Sequence, residues 1–529
     1  MSSAIVVGGG HNGLVCAFYL ARAGVKVTVL ERRPVLGGAA VTEEFFPGFK
    51  NSIASYTVSL LNPKVIADLE LARHGLKIID RPLSNFLPVN EREYLAGPSR
   101  AEIAKFSAKD ADAVGPYTER LQRIADVLRT LILETPPNVT TSGWREALPE
   151  LVKGFGLGRR LGKLSLQGKR DLLALFAQSG GDFLDGWFES DPIKALFGFD
   201  AIVGNYASPY AAGSAYVLLH HAFGETNGAR GAWGHAVGGM GAITQAMAKA
   251  AREKGAELVT DRAVAEVLVE NNRAVGVRTK EGETFRAGIV VSNLNPRLLF
   301  TQLVDRQALP DDFRARIERY RCASGTFRMN VALSELPRFS CRPEPGLHLA
   351  SGIIMAPSLD YMDRAYREAR EFGWSKSPII EMLIPSVVDE TLAPKGRQVA
   401  SLFCQHVAPE LSDGRSWDDH RDEVAMVMLS TVDRFAPGFK NSVIGVQALS
   451  PLDLERMFGL VGGDIMHGRL DLDQMFSARP VLGHGNYRSP IRGLYMCGAG
   501  THPGGGVTGA PGHNAAREIL RDLRRGVRP

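Results

Sequence analysis

Between Ala4 and Glu31 the chain carries a strand, a glycine run, a helix, a second strand and an acid, in that order. Ala4-Ile5-Val6-Val7 is a short, uninterrupted apolar run, the pattern of a strand buried on both faces. Gly8-Gly9-Gly10-His11-Asn12-Gly13 follows at once and fits G-x-G-x-x-G. Leu14 to Ala23 has helical apolar spacing, Gly24 stands at the C-cap, and Val25 to Leu30 reads as a second buried strand ending at Glu31. Strand, glycines, helix, strand and acid in sequence specify an α/β sheet with a dinucleotide on its first crossover. Gly8 allows the tight turn out of the strand, Gly10 leaves room for a pyrophosphate, and Gly13 lets the helix approach the sheet. The start of the helix then offers free N–H groups and a partial positive charge to phosphate. Glu31 is placed to accept hydrogen bonds from a ribose, and its charge would repel a 2′-phosphate, which disfavours NADP.

FAD and NAD both fit that unit, and the next residues separate them. Arg32-Arg33 and then Gly37-Gly38 extend it, with Ala39 and the run to Glu44 behind them. With Pro47-Gly48-Phe49, Ala54-Ser55-Tyr56, Gly238-Gly239-Met240-Gly241 and Val291-Ser292-Asn293, the chain resembles the phytoene desaturase-like (carotenoid and retinoid) FAD oxidoreductases. These are flavoproteins with two dinucleotide-binding domains. The resemblance implies FAD as the cofactor, with the second glycine pair returning past the pyrophosphate. It also implies that Val264 meets the adenine and that Asn293 lies close to the cofactor. Ala39 departs from the amine oxidase and carotene desaturase pattern, which usually has an arginine there.

At the other end, Leu494 to Cys497 reads as a strand, followed by seven glycines from Gly498 to Gly512 and a helix to about Arg524. Gly498, Gly506 and Val507 belong to this motif. Such a backbone can lie flat against a planar ring and aim N–H groups at it, and a helix N-terminus stabilises negative charge on a reduced flavin. The expected cofactor-binding set is therefore Gly8, Gly10, His11, Asn12, Gly13, Glu31, Arg32, Gly37, Gly38, Ala39, Val264, Asn293, Gly498, Gly506 and Val507.

The fold class expected is α/β: a discontinuous Rossmann-type FAD-binding domain over 1–89, 226–304 and 491–529, with an α+β substrate domain over 90–225 and 305–490. Within the second, the aromatic stretch Phe197 to Phe223, with Tyr206, Tyr210 and Tyr216, reads as core; the resemblance would place part of it around an apolar substrate. No catalytic side chain is assigned. His220, His221, His235, His502 and His513 are each a candidate acid or base and equally a packed side chain.

Five cysteines, Cys16, Cys322, Cys341, Cys404 and Cys497, form no C-x-x-C pair and no metal-ligand spacing, so no metal is expected. Gly459 to Asp464 is the nearest thing to a second dinucleotide unit, but it has neither strand nor acid around it and reads as a loop. With one dinucleotide site, reduced flavin would pass its electrons to oxygen, a quinone or another acceptor. The net charge of +5 is the balance of 62 basic and 57 acidic side chains, which makes no case for nucleic acid. With no leader-like segment and no run of ~18 apolar residues, a cytoplasmic location is expected. Lys153 to Lys163, extended by Lys169 and Arg170, interleaves cations with apolar residues. It reads either as a solvated basic loop or as a peripheral contact with anionic lipid through 153–170.

The expected function is FAD-dependent oxidation of an apolar, polyene or lipid-like substrate, with a hydride passing to flavin N5. A flavin-dependent polyene isomerase or saturase is one alternative. A non-catalytic, FAD-stabilised interaction protein at a membrane assembly is the other.

Overall fold

The computed structural model describes residues 2–138, 140 and 144–526. Its first sheet has five strands in the order Glu257–Val259, Lys26–Leu30, Ser3–Val7, Ile289–Ser292, Leu494–Met496, all parallel. The register sets Ala4 beside Val27 and Ile289, and Val290 beside Leu494. Three distant stretches of chain thus build one sheet. Strand residues alternate between its two faces, as period-two geometry requires. Ala4, Val6, Val27, Val29, Ile289 and Val291 point to one core, while Ile5, Val7, Leu30 and Val290 point to another.

The first core is covered by helices His11–Arg22, Met240–Glu253 and Ala510–Arg524. They pack closely because their contact faces are small: Ala246, Ala250, Ala251, Ala515 and Ala516 are buried there. A Cβ on Gly512 would overlap the Asn12 carbonyl oxygen. The second core is capped by the antiparallel strands Val264–Glu270, Arg273–Thr279 and Thr284–Arg286.

Beyond this unit stands a mixed seven-stranded sheet: Val443–Leu449, Phe327–Leu333, Gln398–Val407, Trp374–Leu383, Gly352–Met355, Asn85–Pro88 and Tyr94–Ala96. Strand Asn85–Pro88, inside the expected 1–89 segment, therefore pairs in the second sheet, because Gly352–Met355 takes it as a parallel neighbour. Helix Trp417–Phe435 covers one face. Helices Asp191–Gly198 and Leu359–Phe372 cover the other. Most of the described residues between 100 and 222 are in helices, among them Ala108–Ile132, Trp144–Gly162, Leu166–Ala177 and Ala215–Ala222. The basic stretch is therefore not a loop: helix Trp144–Gly162 runs through Lys153 to Arg160. Among the described residues no helix is long and apolar enough to cross a membrane.

Candidate functional site

A chamber of about 450 Å³ opens at the carboxyl ends of the first sheet's strands and runs toward the second sheet. Its near end is the glycine turn. Gly8 N donates to Leu30 O at 2.9 Å with φ +97°, a left-handed turn that glycine makes without strain. Helix His11–Arg22 starts behind Gly10 with no side chain capping it, so its first N–H groups and its dipole face the chamber. A Cβ on Gly10 would stand 2.7 Å from Asn293 Nδ2.

Glu31 is held in place by backbone donors. Gly9 N donates to Oε2 at 2.7 Å and Arg33 N to Oε1 at 3.0 Å. Its carboxylate is thus aimed at the chamber beside Arg32, Arg262, Val264 and Lys280, which form the outer end of the wall. Arg32 is anchored on Arg456 O at 3.0 Å, and Arg33 forks onto Glu43 at 2.8 Å. The second glycine pair sits against the first: Gly37 N donates to Gly9 O at 2.9 Å, and a Cβ on Gly38 would lie 3.1 Å from Gly10 Cα.

Of the expected set, Gly8, Gly10, His11, Asn12, Glu31, Arg32, Gly38, Ala39, Val264, Asn293, Gly506 and Val507 line the chamber. Gly13, Gly37 and Gly498 do not. They permit close backbone approaches behind the wall: a Cβ on Gly13 would overlap Gly8 O, and one on Gly498 would stand 2.6 Å from Asn293 O. Asn293 fills the space that Gly8, Gly10, Gly13 and Gly498 leave open. Val507 holds a left-handed φ of +58°, unusual for a β-branched residue.

The far end is apolar and aromatic, with Leu60, Val203, Trp233, Phe403, Ile465 and Met466 in its wall. Trp233 stacks on His221 (6.0 Å, 15°) and Phe403 on Tyr56 (5.3 Å, 22°). Behind Tyr56 lies a buried ionic group. The hydroxyl donates to Glu381 Oε2 at 2.5 Å, Arg81 approaches Glu381 at 3.8 Å, and the Arg328 guanidinium stands 4.6 Å from the Tyr56 ring centre. Burial, and then the Glu381 charge, push the Tyr56 hydroxyl well above its ordinary range, so it stays protonated. Burial facing Glu381 also raises Asp200 to about 7.

The expected histidines disperse. His235 Nε2 bonds Asp389 at 2.8 Å, His502 Nε2 bonds Leu131 O at 3.1 Å, and His513 Nδ1 bonds Asn514 at 2.9 Å. Of the five, only His221 reaches the chamber. Burial lowers His11 and His221 to about 4, so both are neutral near pH 7. The aromatic stretch is largely core, as Tyr216 illustrates, although Val203 and His221 from it reach the wall.

The wall segment from Gly459 to His467 carries no local sequence signal of its place at the chamber. Gly459 to Asp464 forms a loop with one short turn, Val461–Gly463, and leads into His467. Asp464 fixes this loop by accepting from Ala323, Met466 and Gly468 N–H groups at 2.8–3.0 Å. Fully buried Arg479 then ties it to the C-terminal motif, donating to Met466 O at 2.7 Å and Ala499 O at 2.9 Å. His467 lines the chamber as a result. Cys16 and Cys497, far apart in sequence, meet as buried thiols, and burial followed by that contact raises Cys497 well above the thiol range. They belong to the helix-covered core and do not line the chamber.

His11 Nε2, Asn12 Oδ1 and His467 Nδ1 are buried with no hydrogen-bond partner among the described residues, and all three residues face the chamber. With the uncapped helix start and the carboxylate of Glu31, they suit a long ligand with phosphates and a ribose. Sheet, cradle and closing glycine motif define a dinucleotide-binding flavoprotein. The chain belongs to the flavin-containing amine oxidoreductases, whose family model matches residues 13–326, and it is an FAD-dependent oxidoreductase. In particular it is 41% identical to pyridine nucleotide-disulfide oxidoreductase domain-containing protein 2 of Rattus norvegicus, over 98% of this chain and 94% of that one. It is 25% identical to the lycopene-forming phytoene desaturase of Pseudescherichia vulneris, over 99% of this chain and 100% of that one. Cyclohexylamine oxidase from Brevibacterium oxydans shares the fold, with a TM-score of 0.59 and 15% identity over 99% of this chain and 100% of that one.

Proposed function

We propose that this chain oxidises an apolar, polyene or lipid-like molecule bound in the far half of the chamber. The observation that carries this reading is the wall itself: beyond the cradle it is Leu60, Val203, Trp233, Phe403, Ile465 and Met466. Burying a hydrocarbon there is favourable at roughly 25 cal/mol per Å² of apolar surface. Among the described residues Glu31 is the only carboxylate in the wall, and it lies at the opposite end. Glu381 lies behind Tyr56 and is engaged by Tyr56 and Arg81, so a substrate ammonium would find no free carboxylate in the aromatic wall, which favours a neutral substrate over an amine. The name of the phytoene desaturase relative is in keeping with this.

In this reading the cradle holds FAD in a fixed order. The backbone from Gly8 to Gly13, with His11 and Asn12, takes the diphosphate; Glu31 takes the adenosine ribose; Arg32 and Val264 flank the adenine. Gly37, Gly38, Ala39 and Asn293 shape the inner wall, while Gly498, Gly506 and Val507 close on the ring. Bound FAD supplies a two-electron acceptor at N5 for a hydride. The chain's own part is to orient the substrate, exclude water and keep charge away: Tyr56 and His221 present neutral faces to it. Electrons then leave to oxygen, a quinone or another acceptor.

The test is the anaerobic visible spectrum of the purified holoprotein. The flavin band is expected to persist with NADH or NADPH and to bleach with a conjugated-polyene or lipid substrate. Bleaching by nicotinamide, or by amines alone, would overturn the reading.

A further inference from the structure

Six large apolar side chains, Leu148, Leu151, Val152, Phe155, Leu166 and Leu173, are between 58% and 75% exposed within one short stretch of chain. Four of them follow i, i+3, i+4, i+7 along helix Trp144–Gly162, so they form a single stripe. In a globular protein that stripe faces the core; here it faces outward. The helix is held by its other side: Glu150 accepts from Asn138 N at 2.7 Å, and Arg160 pairs with Glu134 at 2.7 Å. Leu166 and Leu173 belong to the next helix, Leu166–Ala177, whose Leu172 and Phe176 turn inward instead.

Cations flank the stripe. Arg159, Lys163, Lys169 and Arg170 are exposed and form no ion pair among the described residues. An outward apolar stripe bordered by unpaired cations matches a bilayer with anionic headgroups: the apolar residues enter the acyl boundary and the cations stay at phosphate level. A protein partner would need matching carboxylates and its own apolar face, whereas an anionic bilayer supplies both at once.

We infer that the two helices form a monotopic docking surface for an anionic lipid bilayer. The surface is close to the chamber. Helix Leu166–Ala177 packs on Ala215–Ala222, whose His221 stands in the chamber wall. Docking would set the chamber one helix layer from the bilayer, a short path for a lipid-dissolved molecule. The experiment below needs no turnover, so it can fail without the redox reading failing, and the reverse.

The experiment is flotation of the holoprotein with phosphatidylcholine vesicles containing phosphatidylglycerol, against phosphatidylcholine alone. The wild type is expected to float with the anionic vesicles only. Leu151→Glu with Phe155→Glu should abolish flotation while flavin absorbance and Tm are kept, since both side chains are already solvent-exposed. Each of Arg159→Gln and Lys163→Gln should weaken it about fivefold. Failure of the wild type to float, or flotation unchanged in the double variant, overturns the proposal. So does a solution dimer that the double variant splits, since the stripe would then be an interface between copies of this chain.

Discussion

At the scale of single residues, the cradle depends on what is missing from Gly10. Its φ of −71° would suit any residue, so only space forbids a side chain. Gly10→Ala is expected to push on Asn293 Nδ2 and narrow the phosphate channel, weakening FAD by at least about tenfold, or ~1.4 kcal/mol. Flavin fluorescence titration of the apoprotein measures this directly. Tyr56 gives a contrasting case. Tyr56→Phe keeps the ring on Phe403 but leaves a buried Glu381 oxygen without its donor, at a cost of about 1.5–3 kcal/mol. Thermal unfolding should register that loss while flavin stoichiometry stays unchanged.

At the scale of elements, the first strand, glycine turn, helix and second strand are legible because their periodicity and their chemistry lie in adjacent residues. The helix expected from Leu14 runs His11–Arg22, and the C-terminal helix expected near Gly512 starts at Ala510. Strand Asn85–Pro88 could not be assigned to its sheet from sequence, since its partner Gly352–Met355 is remote. His467 was hidden for a similar reason: nothing local marks it, and Asp464 and Arg479 deliver it from two different stretches of chain. Lys153 to Lys163 was ambiguous because its four glycines suggest a loop, while the apolar stripe that makes it a helix begins upstream at Leu148. Arg479 carries a prediction for the whole closing loop. Arg479→Met strands the carbonyls of Met466, Gly468 and Ala499, and is expected to cost at least about 3 kcal/mol. Because that loop borders the chamber, flavin release should occur below the global Tm, as a separate step in a melt followed by flavin fluorescence.

At the scale of the molecule, buried histidines set how stability depends on pH. Burial lowers His11, His221 and His502 to about 4, and His220, His406 and His467 to about 3. Each is neutral in the fold and titrates near 6.5 once unfolded, so below that pH the unfolded chain binds more protons. Stability is complete above about 6.5 and falls as pH drops toward 4, each group contributing up to roughly 3 kcal/mol. A Tm that stays flat between pH 7 and pH 5 would contradict this burial.

The five-stranded sheet has a further consequence, in time. Its last strand, Leu494–Met496, joins Ile289–Ser292 across some two hundred intervening residues. Until that strand leaves the ribosome, Ile289–Ser292 is an open parallel edge, and Ala510–Arg524 has yet to cover the first helix. A nascent chain ending before Leu494 should therefore carry no tightly held flavin and should depend on a chaperone to keep that edge from pairing with another copy. If the cofactor can be held only by the finished polypeptide, flavin supply would act as a checkpoint on maturation as well as a requirement for turnover.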